Sequence, residues 1–283
     1  MVTSELERIG SALNTTLNIE TEAGVSLRVS GSLLPDRDTI VFSNSIGADM
    51  SMWDDQLAAA MEYANVVRYD QRGHGDSSAP AGPYSIAELG QDVIGILDSL
   101  QLGKVFFCGL SLGGITGMWL AVHHPNRFHG FVLANTAASF PVQIWQERCA
   151  TARRSGLEPL VDATLARWFT KDWASRNHEA ISRVRAMILR TSPEGYAGCG
   201  EALAGVSLES DLDQISSPAR VIAGRYDRAT PPERSEEIAK AIPCSDLVTL
   251  DAAHVSPIEA ASAFSAILRD FVTTHSQAST SAV

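Results

Sequence analysis

The chain has 283 residues and a formal net charge of −11, and 45% of its residues are apolar while 19% are charged. This composition is ordinary for a globular protein and excludes a disordered, collagen-like or coiled-coil chain. The acidic excess argues against binding to nucleic-acid phosphates, and the length fits one large domain or a core with an insertion.

Four cysteines lie far apart without a C-x-x-C pair. They are too few for a disulfide scaffold and wrongly spaced for zinc, so the sequence predicts free thiols in a cytoplasmic protein. The first ten residues do not indicate a signal peptide, because they carry charges and no apolar segment. The uncharged run 105–122 is long enough to span a membrane, but its four glycines favour a buried strand, turn and helix, so we expect no membrane contact.

Short apolar runs alternate with amphipathic segments along most of the chain. Residues 17–30 predict an opening strand or hairpin. Further strands are predicted at 39–43, 66–69, 105–108, 131–134, 220–223 and 247–250, and helices at 53–63, 86–100, 115–124, 233–241 and 257–272. This alternation predicts an α/β protein with a mostly parallel central sheet and helices on both faces.

Residues 140–205 interrupt the alternation with a helical pattern that contains no convincing strand. They carry nine basic and seven acidic residues, a net charge of +2, whereas the rest of the chain carries −13. We therefore predict the first part of a core at 1–138, a helical cap at 139–210 and the second part of the core at 211–283. A mobile tail is predicted from about residue 273.

The strongest local signal is the pattern G-x-S-x-G at 109–113, which lies between a predicted strand and a predicted helix. This context is typical of a nucleophile elbow, a sharp turn that needs flanking glycines and holds its serine exposed above the sheet. Ser111 is therefore the candidate nucleophile. The alternative is a tight strand–helix crossing with an incidental serine.

A nucleophilic serine needs a base and an acid. Of seven histidines, His254 is favoured because it lies in the loop between the last predicted strand and the last predicted helix, whereas His74 lies in a turn that we interpret as structural. Asp227 is the candidate acid because it follows the strand at 220–223. Some proteins of this architecture place the acid one strand earlier, where this chain has Asn135, and Asp251 is a weaker alternative.

Two backbone N–H groups should form an oxyanion hole. One belongs to Leu112, which follows the candidate nucleophile. The second is assigned to Ile46, in the loop after the strand at 39–43.

With these features the chain is identified as an α/β-hydrolase over about residues 17–272, and it most closely resembles the 3-oxoadipate enol-lactonases of aromatic catabolism. The resemblance rests on FSNSIG at 42–47, RYDQRGHG at 68–75, GPYSI at 82–86, FCGLS at 107–111, RWFT at 167–170 and TSPEGYA at 191–197. It implies a serine-type carboxylic ester hydrolase of the β-ketoadipate pathway that uses a Ser-His-Asp triad on a small anionic enol-lactone. No metal or organic cofactor is expected. The chain departs from the family pattern after the candidate base, at Val255-Ser256-Pro257 and Ala260-Ala261.

An anionic substrate requires local cations, because the net charge of the chain is negative. Trp145 and Arg148 lie three residues apart in the predicted cap and therefore on one helix face. We expect Arg148 to meet the substrate carboxylate and Trp145 to form a wall of the pocket; the alternative is a surface arginine and a core tryptophan. Other functions stay open, namely another lactonase or carboxylesterase, a cofactor-free oxygenase and a non-enzymatic receptor.

Overall fold

A computed structural model describes residues 15–276. Its strands are β1 (Thr15–Glu20), β2 (Ser26–Ser32), β3 (Thr39–Ser43), β4 (Asn65–Tyr69), β5 (Val105–Leu110), β6 (Phe128–Ala134), β7 (Ala219–Gly224) and β8 (Ser245–Leu250). They form one eight-stranded sheet in the order β1-β2-β4-β3-β5-β6-β7-β8. The pairs β1–β2 and β2–β4 are antiparallel, and the other neighbours are parallel.

Eleven α-helices lie within the same range. They are α1 (Asp54–Met61), α2 (Ile86–Ser99), α3 (Leu112–His123), α4 (Val142–Ser155), α5 (Glu158–Trp168), α6 (Lys171–Arg176), α7 (His178–Arg190), α8 (Pro193–Gly205), α9 (Pro232–Ala241), α10 (Ser256–Glu259) and α11 (Ala261–His275). Outside α4–α8, α1 packs with α11 and α2 packs with α3. The predicted α/β class with a mostly parallel sheet is confirmed.

The central strands are buried along their whole length. All five residues of β3 and all six of β5 are buried. A strand covered on both faces needs apolar side chains on both, which explains why these segments are continuous apolar runs without alternation. Ser85 caps the start of α2 and forms a capping box with Glu88.

Two predicted helices differ from the observed ones. α3 begins at Leu112, three residues before its predicted start, because the chain turns from β5 directly into the helix. The helix predicted at 257–272 is two helices, since Ala260 leaves the helical region with φ −126° and ψ 44°. The mobile tail predicted from about residue 273 stays a prediction: α11 continues to His275, and residues 277–283 lie outside the described range.

Five helices, α4 to α8, lie between the adjacent parallel strands β6 and β7. α4 packs along α8, and α5 packs against α4 and α7. This segment leaves the sheet at the carboxyl end of β6, the edge at which α/β proteins place their ligands. The boundaries 139–210 assigned to a cap stay a prediction. Among residues 15–276 there is no helix long and apolar enough to cross a membrane.

Candidate active site

Ser111 occupies the tight turn between β5 and α3. Its backbone has φ 54° and ψ −109°, a strained conformation for a residue with a side chain. The turn requires glycine on both sides. A Cβ atom at Gly109 would lie 2.2 Å from the carbonyl oxygen of Gly113, and one at Gly113 would lie 2.2 Å from the carbonyl oxygen of Ser43. The G-x-S-x-G pattern therefore has a steric cause, since the backbones approach too closely for any other residue.

We expect Gly109→Ala to lower the free energy of unfolding by about 1–3 kcal/mol, because the added methyl group meets backbone atoms that cannot rotate away. Gly103→Ala is the matched control, since a Cβ atom there has no atom within 4 Å. Its effect should stay within about 0.5 kcal/mol. Urea unfolding of both variants measures the difference, and equal stabilities would contradict the steric interpretation.

His254 and Asp227 form a buried pair at the carboxyl ends of β7 and β8. His254 Nδ1 lies 2.8 Å from Asp227 Oδ2, and the two side chains are 2% and 0% exposed. This contact leaves Nε2 as the free ring nitrogen of His254. Ser111 and His254 line the same cavity. Ser111 Oγ makes no hydrogen bond to His254 in this structure, and catalytic hydrogen bonds often tighten only when substrate binds.

Five donors surround the Asp227 carboxylate. Oδ1 accepts the N–H groups of Ala229 and Thr230, and Oδ2 accepts Thr230 Oγ1 at 2.8 Å and Asn135 Nδ2 at 3.1 Å in addition to His254. Burial raises the pKa of Asp227, but attraction to His254 and these hydrogen bonds outweigh it, so the pKa lies below its ordinary value. The group is therefore held as an anion behind the imidazole.

Asn135 occupies the position at which some proteins of this architecture place the acid. In this structure its side chain orients Asp227. Its amide nitrogen donates to Asp227 and to the carbonyl oxygen of Ala253, while its own Oδ1 accepts Ser256 Oγ at 2.6 Å. Asn135 thus links the candidate acid to Ser256, the first residue of α10.

Asp251, the alternative acid, lies away from the base. Its side chain is 76% exposed and pairs with Arg225 Nε at 2.6 Å. The structure therefore brings Asp227, and not Asp251, to His254.

Two backbone N–H groups beside Ser111 are free. Within residues 15–276 the N–H groups of Ile46 and Leu112 have no protein acceptor, while those of their neighbours Gly47 and Gly113 donate to His74 and Asn44. Ile46 lines the cavity together with Ser111. Two free donors next to a serine can bind a developing oxyanion.

His74, interpreted from the sequence as structural, holds the loop that carries Ile46. Its Nε2 accepts the N–H of Gly47 at 2.8 Å, and its Nδ1 faces the carbonyl oxygen of Arg72 at 3.2 Å. Burial lowers the pKa of His74 to about 4. The ring is therefore neutral near pH 7, and only a neutral ring can accept the hydrogen bond from Gly47 at Nε2.

The cavity above Ser111 has a volume of about 160 Å³. Its floor includes Ile46, Ser111 and His254, and its walls include residues from α4 and α5. The structure thus brings Trp145 and Arg148 to the candidate nucleophile, as the sequence predicts.

Arg148 is held by hydroxyl groups. Nε donates to Tyr196 Oη at 2.9 Å, Nη2 donates to Thr164 Oγ1 at 3.0 Å, and the guanidinium lies 5.3 Å from the centre of the Trp145 ring. Among the described residues no carboxylate pairs with it, although it is partly buried. Nη1 makes no protein hydrogen bond there, so this end of the guanidinium is available to a ligand.

The loop that carries His254 is tied to the end of α5 on both sides of the base. Val255 N donates to the carbonyl oxygen of Trp168 at 3.1 Å. Glu259 accepts Ala253 N at 2.8 Å and also binds the backbone N–H and hydroxyl of Thr170. The Trp168 ring lies 6.2 Å from the His254 ring. Hydrogen bonds to residues 168–170 therefore help to set the position of the candidate base.

Sequence reasoning missed several residues around the site. They are Thr164, Arg167, Trp168, Tyr196, Arg228, Thr230 and Glu259. Three of them lie in the segments RWFT and TSPEGYA, which supported the family resemblance but did not indicate a role for these residues. Thr164, Arg228, Thr230 and Glu259 belong to none of the quoted motifs, and their contacts around the site appear only in the folded chain.

A family model described as the alpha/beta hydrolase fold matches residues 38–261. The chain belongs to the α/β-hydrolase family. This α/β-hydrolase is 43% identical to 3-oxoadipate enol-lactonase 2 of Acinetobacter baylyi over 230 residues, which are 81% of this chain and 86% of that protein. It is 35% identical to 3-oxoadipate enol-lactonase 1 of the same organism, with coverage of 91% and 97%.

The structure of this α/β-hydrolase also superposes on the crystal structure of an enol-lactonase from Burkholderia xenovorans. The TM-score is 0.89 at 40% identity, and the match covers 91% of this chain and all of that chain. The resemblance to enol-lactonases and the expectation of a hydrolytic enzyme are confirmed. The assignment of individual site residues stays a prediction.

Proposed function

We propose that this α/β-hydrolase converts 3-oxoadipate enol-lactone to 3-oxoadipate in the β-ketoadipate pathway of aromatic catabolism. The observation that carries the proposal is Arg148, a partly buried cation without a carboxylate partner among residues 15–276, in the cavity that holds Ser111 and His254. The names of the two Acinetobacter relatives support the lactone.

The environment of Arg148 favours a ligand with a carboxylate. Hydroxyl groups of Thr164 and Tyr196 satisfy its hydrogen bonds but supply no negative charge. A guanidinium removed from water without a counter-ion is unfavourable, and a carboxylate bound through charge-assisted hydrogen bonds would relieve that cost. Trp145 stacks beside it and would form the wall against the flat lactone ring.

The first half of the reaction forms an acyl-enzyme. His254 Nε2 takes the proton of Ser111 Oγ while this oxygen attacks the lactone carbonyl carbon, and Asp227 stabilises the imidazolium. The N–H groups of Ile46 and Leu112 bind the oxyanion. The ring C–O bond then breaks, and His254 returns the proton to the leaving oxygen. An enolate leaves more readily than a simple alkoxide, and the tethered enol tautomerises to the ketone.

The second half frees the serine. His254 takes a proton from a water molecule, which attacks the acyl carbon. The intermediate collapses to a carboxylic acid as His254 returns the proton to Ser111 Oγ, and the acid then loses its own proton to solvent. All of these steps use side chains and backbone groups of this chain, and none uses a metal or an organic cofactor.

Arg148→Ala should raise KM for the carboxylate-bearing enol-lactone by roughly tenfold to a hundredfold, the value of a lost charge-assisted contact. For a neutral nitrophenyl ester the change should stay within about twofold, because that substrate has no anion to bind. Steady-state kinetics on both substrates measures the ratio. Equal effects on the two substrates would remove Arg148 from carboxylate recognition.

The loss of enol-lactone absorbance, with substrate generated in situ, tests the proposed function itself. We expect rapid decay with the unaltered protein and none above background with Ser111→Ala. Hydrolysis of nitrophenyl esters without enol-lactone decay would instead indicate a carboxylesterase or another lactonase with the same triad.

The proposed location of the reaction is the cytoplasm. The four cysteines are free thiols, three of them buried, which fits a reducing compartment.

A further inference from the structure

Three arginines line the cavity above Ser111. Arg148 comes from α4, Arg167 from α5, and Arg228 from the loop after β7. Within residues 15–276 none of the three pairs with a carboxylate, and the only hydrogen bond from the Arg167 side chain goes to a carbonyl oxygen of its own helix. By contrast, Arg185 and Arg220 lie away from the cavity, and each bridges two carboxylates.

Arg148 and Arg167 are partly buried and Arg228 is exposed, and partly buried cations in one cavity are unfavourable without an anion. Burial, together with the charges of Arg148 and Arg228, lowers the pKa of Arg167. A lactone with one carboxylate would neutralise only one of the three cations. Its ring-opened product has two carboxyl groups, and both are ionised near pH 7. The charge of the cavity is therefore matched better to a dicarboxylate than to a monoanion.

The sequence neighbours of Arg167 and Arg228 lie beside the base. Arg167 directly precedes Trp168, whose ring lies 6.2 Å from that of His254. Arg228 directly follows Asp227, in the loop whose Thr230 lies 3.2 Å from His254 Nδ1. A carboxylate released from Ser111 forms beside His254.

Arg148 differs from Arg167 and Arg228 in how its side chain is held. Tyr196 of α8 and Thr164 of α5 hold its guanidinium beside Trp145. Arg148 is thus held by hydroxyl groups of the helical segment. Arg167 and Arg228 instead have neighbours in sequence that contact the base or serve as its acid.

We propose that Arg167 and Arg228 form a second carboxylate subsite, so that the cavity binds a linear dicarboxylate with one carboxylate at Arg148 and the other at this pair. The subsite receives the carboxylate as it leaves Ser111 and makes the enzyme sensitive to inhibition by dicarboxylates. The identity of the two anions rests on the proposed function.

Calorimetric titration of the full chain with adipate and hexanoate tests the subsite. These probes have the same chain length but carry two carboxylates and one. We expect adipate to bind at least about tenfold more tightly, because it gains a second charge-assisted contact. Arg167→Gln and Arg228→Gln should each remove most of this preference and leave hexanoate affinity unchanged. Arg148→Gln should weaken both ligands.

Arg154→Gln is the matched control for net charge, since Arg154 is exposed on α4 and lies outside the cavity lining. It should leave the adipate-to-hexanoate ratio unchanged, and retained hexanoate binding shows that each variant keeps an intact cavity. Equal affinity of the unaltered protein for the two probes would overturn the subsite, and so would a parallel loss of both affinities in Arg167→Gln and Arg228→Gln. The titration needs no turnover, so failure of enol-lactone hydrolysis would count against the proposed function and not against the subsite.

Discussion

Ser111→Ala should lower kcat by a factor on the order of 10⁴ or more for every ester or lactone that the protein hydrolyses. The physical reason is that no other hydroxyl can take the place of Oγ at the elbow, where the backbone at φ 54° holds the side chain beside the free N–H groups of Ile46 and Leu112. The residual rate should reflect the oxyanion hole and substrate positioning alone.

The fold should not change in this variant. Alanine removes one oxygen from the turn, so the free energy of unfolding should stay within about 0.5 kcal/mol of the unaltered protein. Enol-lactone absorbance and nitrophenyl ester hydrolysis measure activity, and urea unfolding measures stability. Near-normal turnover of either substrate would show that Ser111 is not the nucleophile.

Asp227→Asn should lower kcat by roughly 10³ to 10⁴-fold. The new side-chain amide would donate an N–H group to Nδ1 of His254. Because Nδ1 must then accept this hydrogen bond, the neutral ring carries its proton on Nε2. With that tautomer His254 cannot take the proton of Ser111. The substitution is nearly isosteric, and KM should change much less than kcat because the side chain does not line the cavity.

The matched control is Asp251→Asn. It removes the same charge from an exposed pair with Arg225, a contact that contributes little in water. Its kcat should stay within about twofold of the unaltered protein. Steady-state kinetics and unfolding of both variants give the comparison, and a larger loss in Asp251→Asn than in Asp227→Asn would reassign the acid.

The central strand segments and the elbow could be predicted because their causes are local. Continuous apolar runs such as β3 and β5 arise from burial on both faces, and that requirement is visible in the residues themselves. Gly109 and Gly113 were recognisable for the same reason, since close backbone contact excludes every larger side chain. The length of the last helices was less visible, because the break at Ala260 has no proline or glycine to mark it.

The candidate base could be predicted from topology, whereas the candidate acid had to be chosen among several positions. His254 lies between the last strand and the last helix, and the known chain order of such triads selects it. For the acid, the sequence left Asp227 ahead of Asp251, and the contact of 2.8 Å between Asp227 and His254 is what separates them. The roles of Asn135 and Ser256 could not be predicted, because these residues are 121 positions apart and meet only where the segments after β6 and β8 come together at one edge of the sheet.

The residues alone thus predict the α/β class, the turn at Ser111, the candidate base and the resemblance to enol-lactonases, since each depends on neighbours in the chain or on a short motif. Folding adds the hydroxyl groups that hold Arg148, the ties from Trp168 and Thr170 to the His254 loop, and the meeting of Arg167 and Arg228 in one cavity. These features join segments far apart in sequence. The charge around the nucleophile is therefore a property of tertiary packing, which no local pattern of side chains encodes.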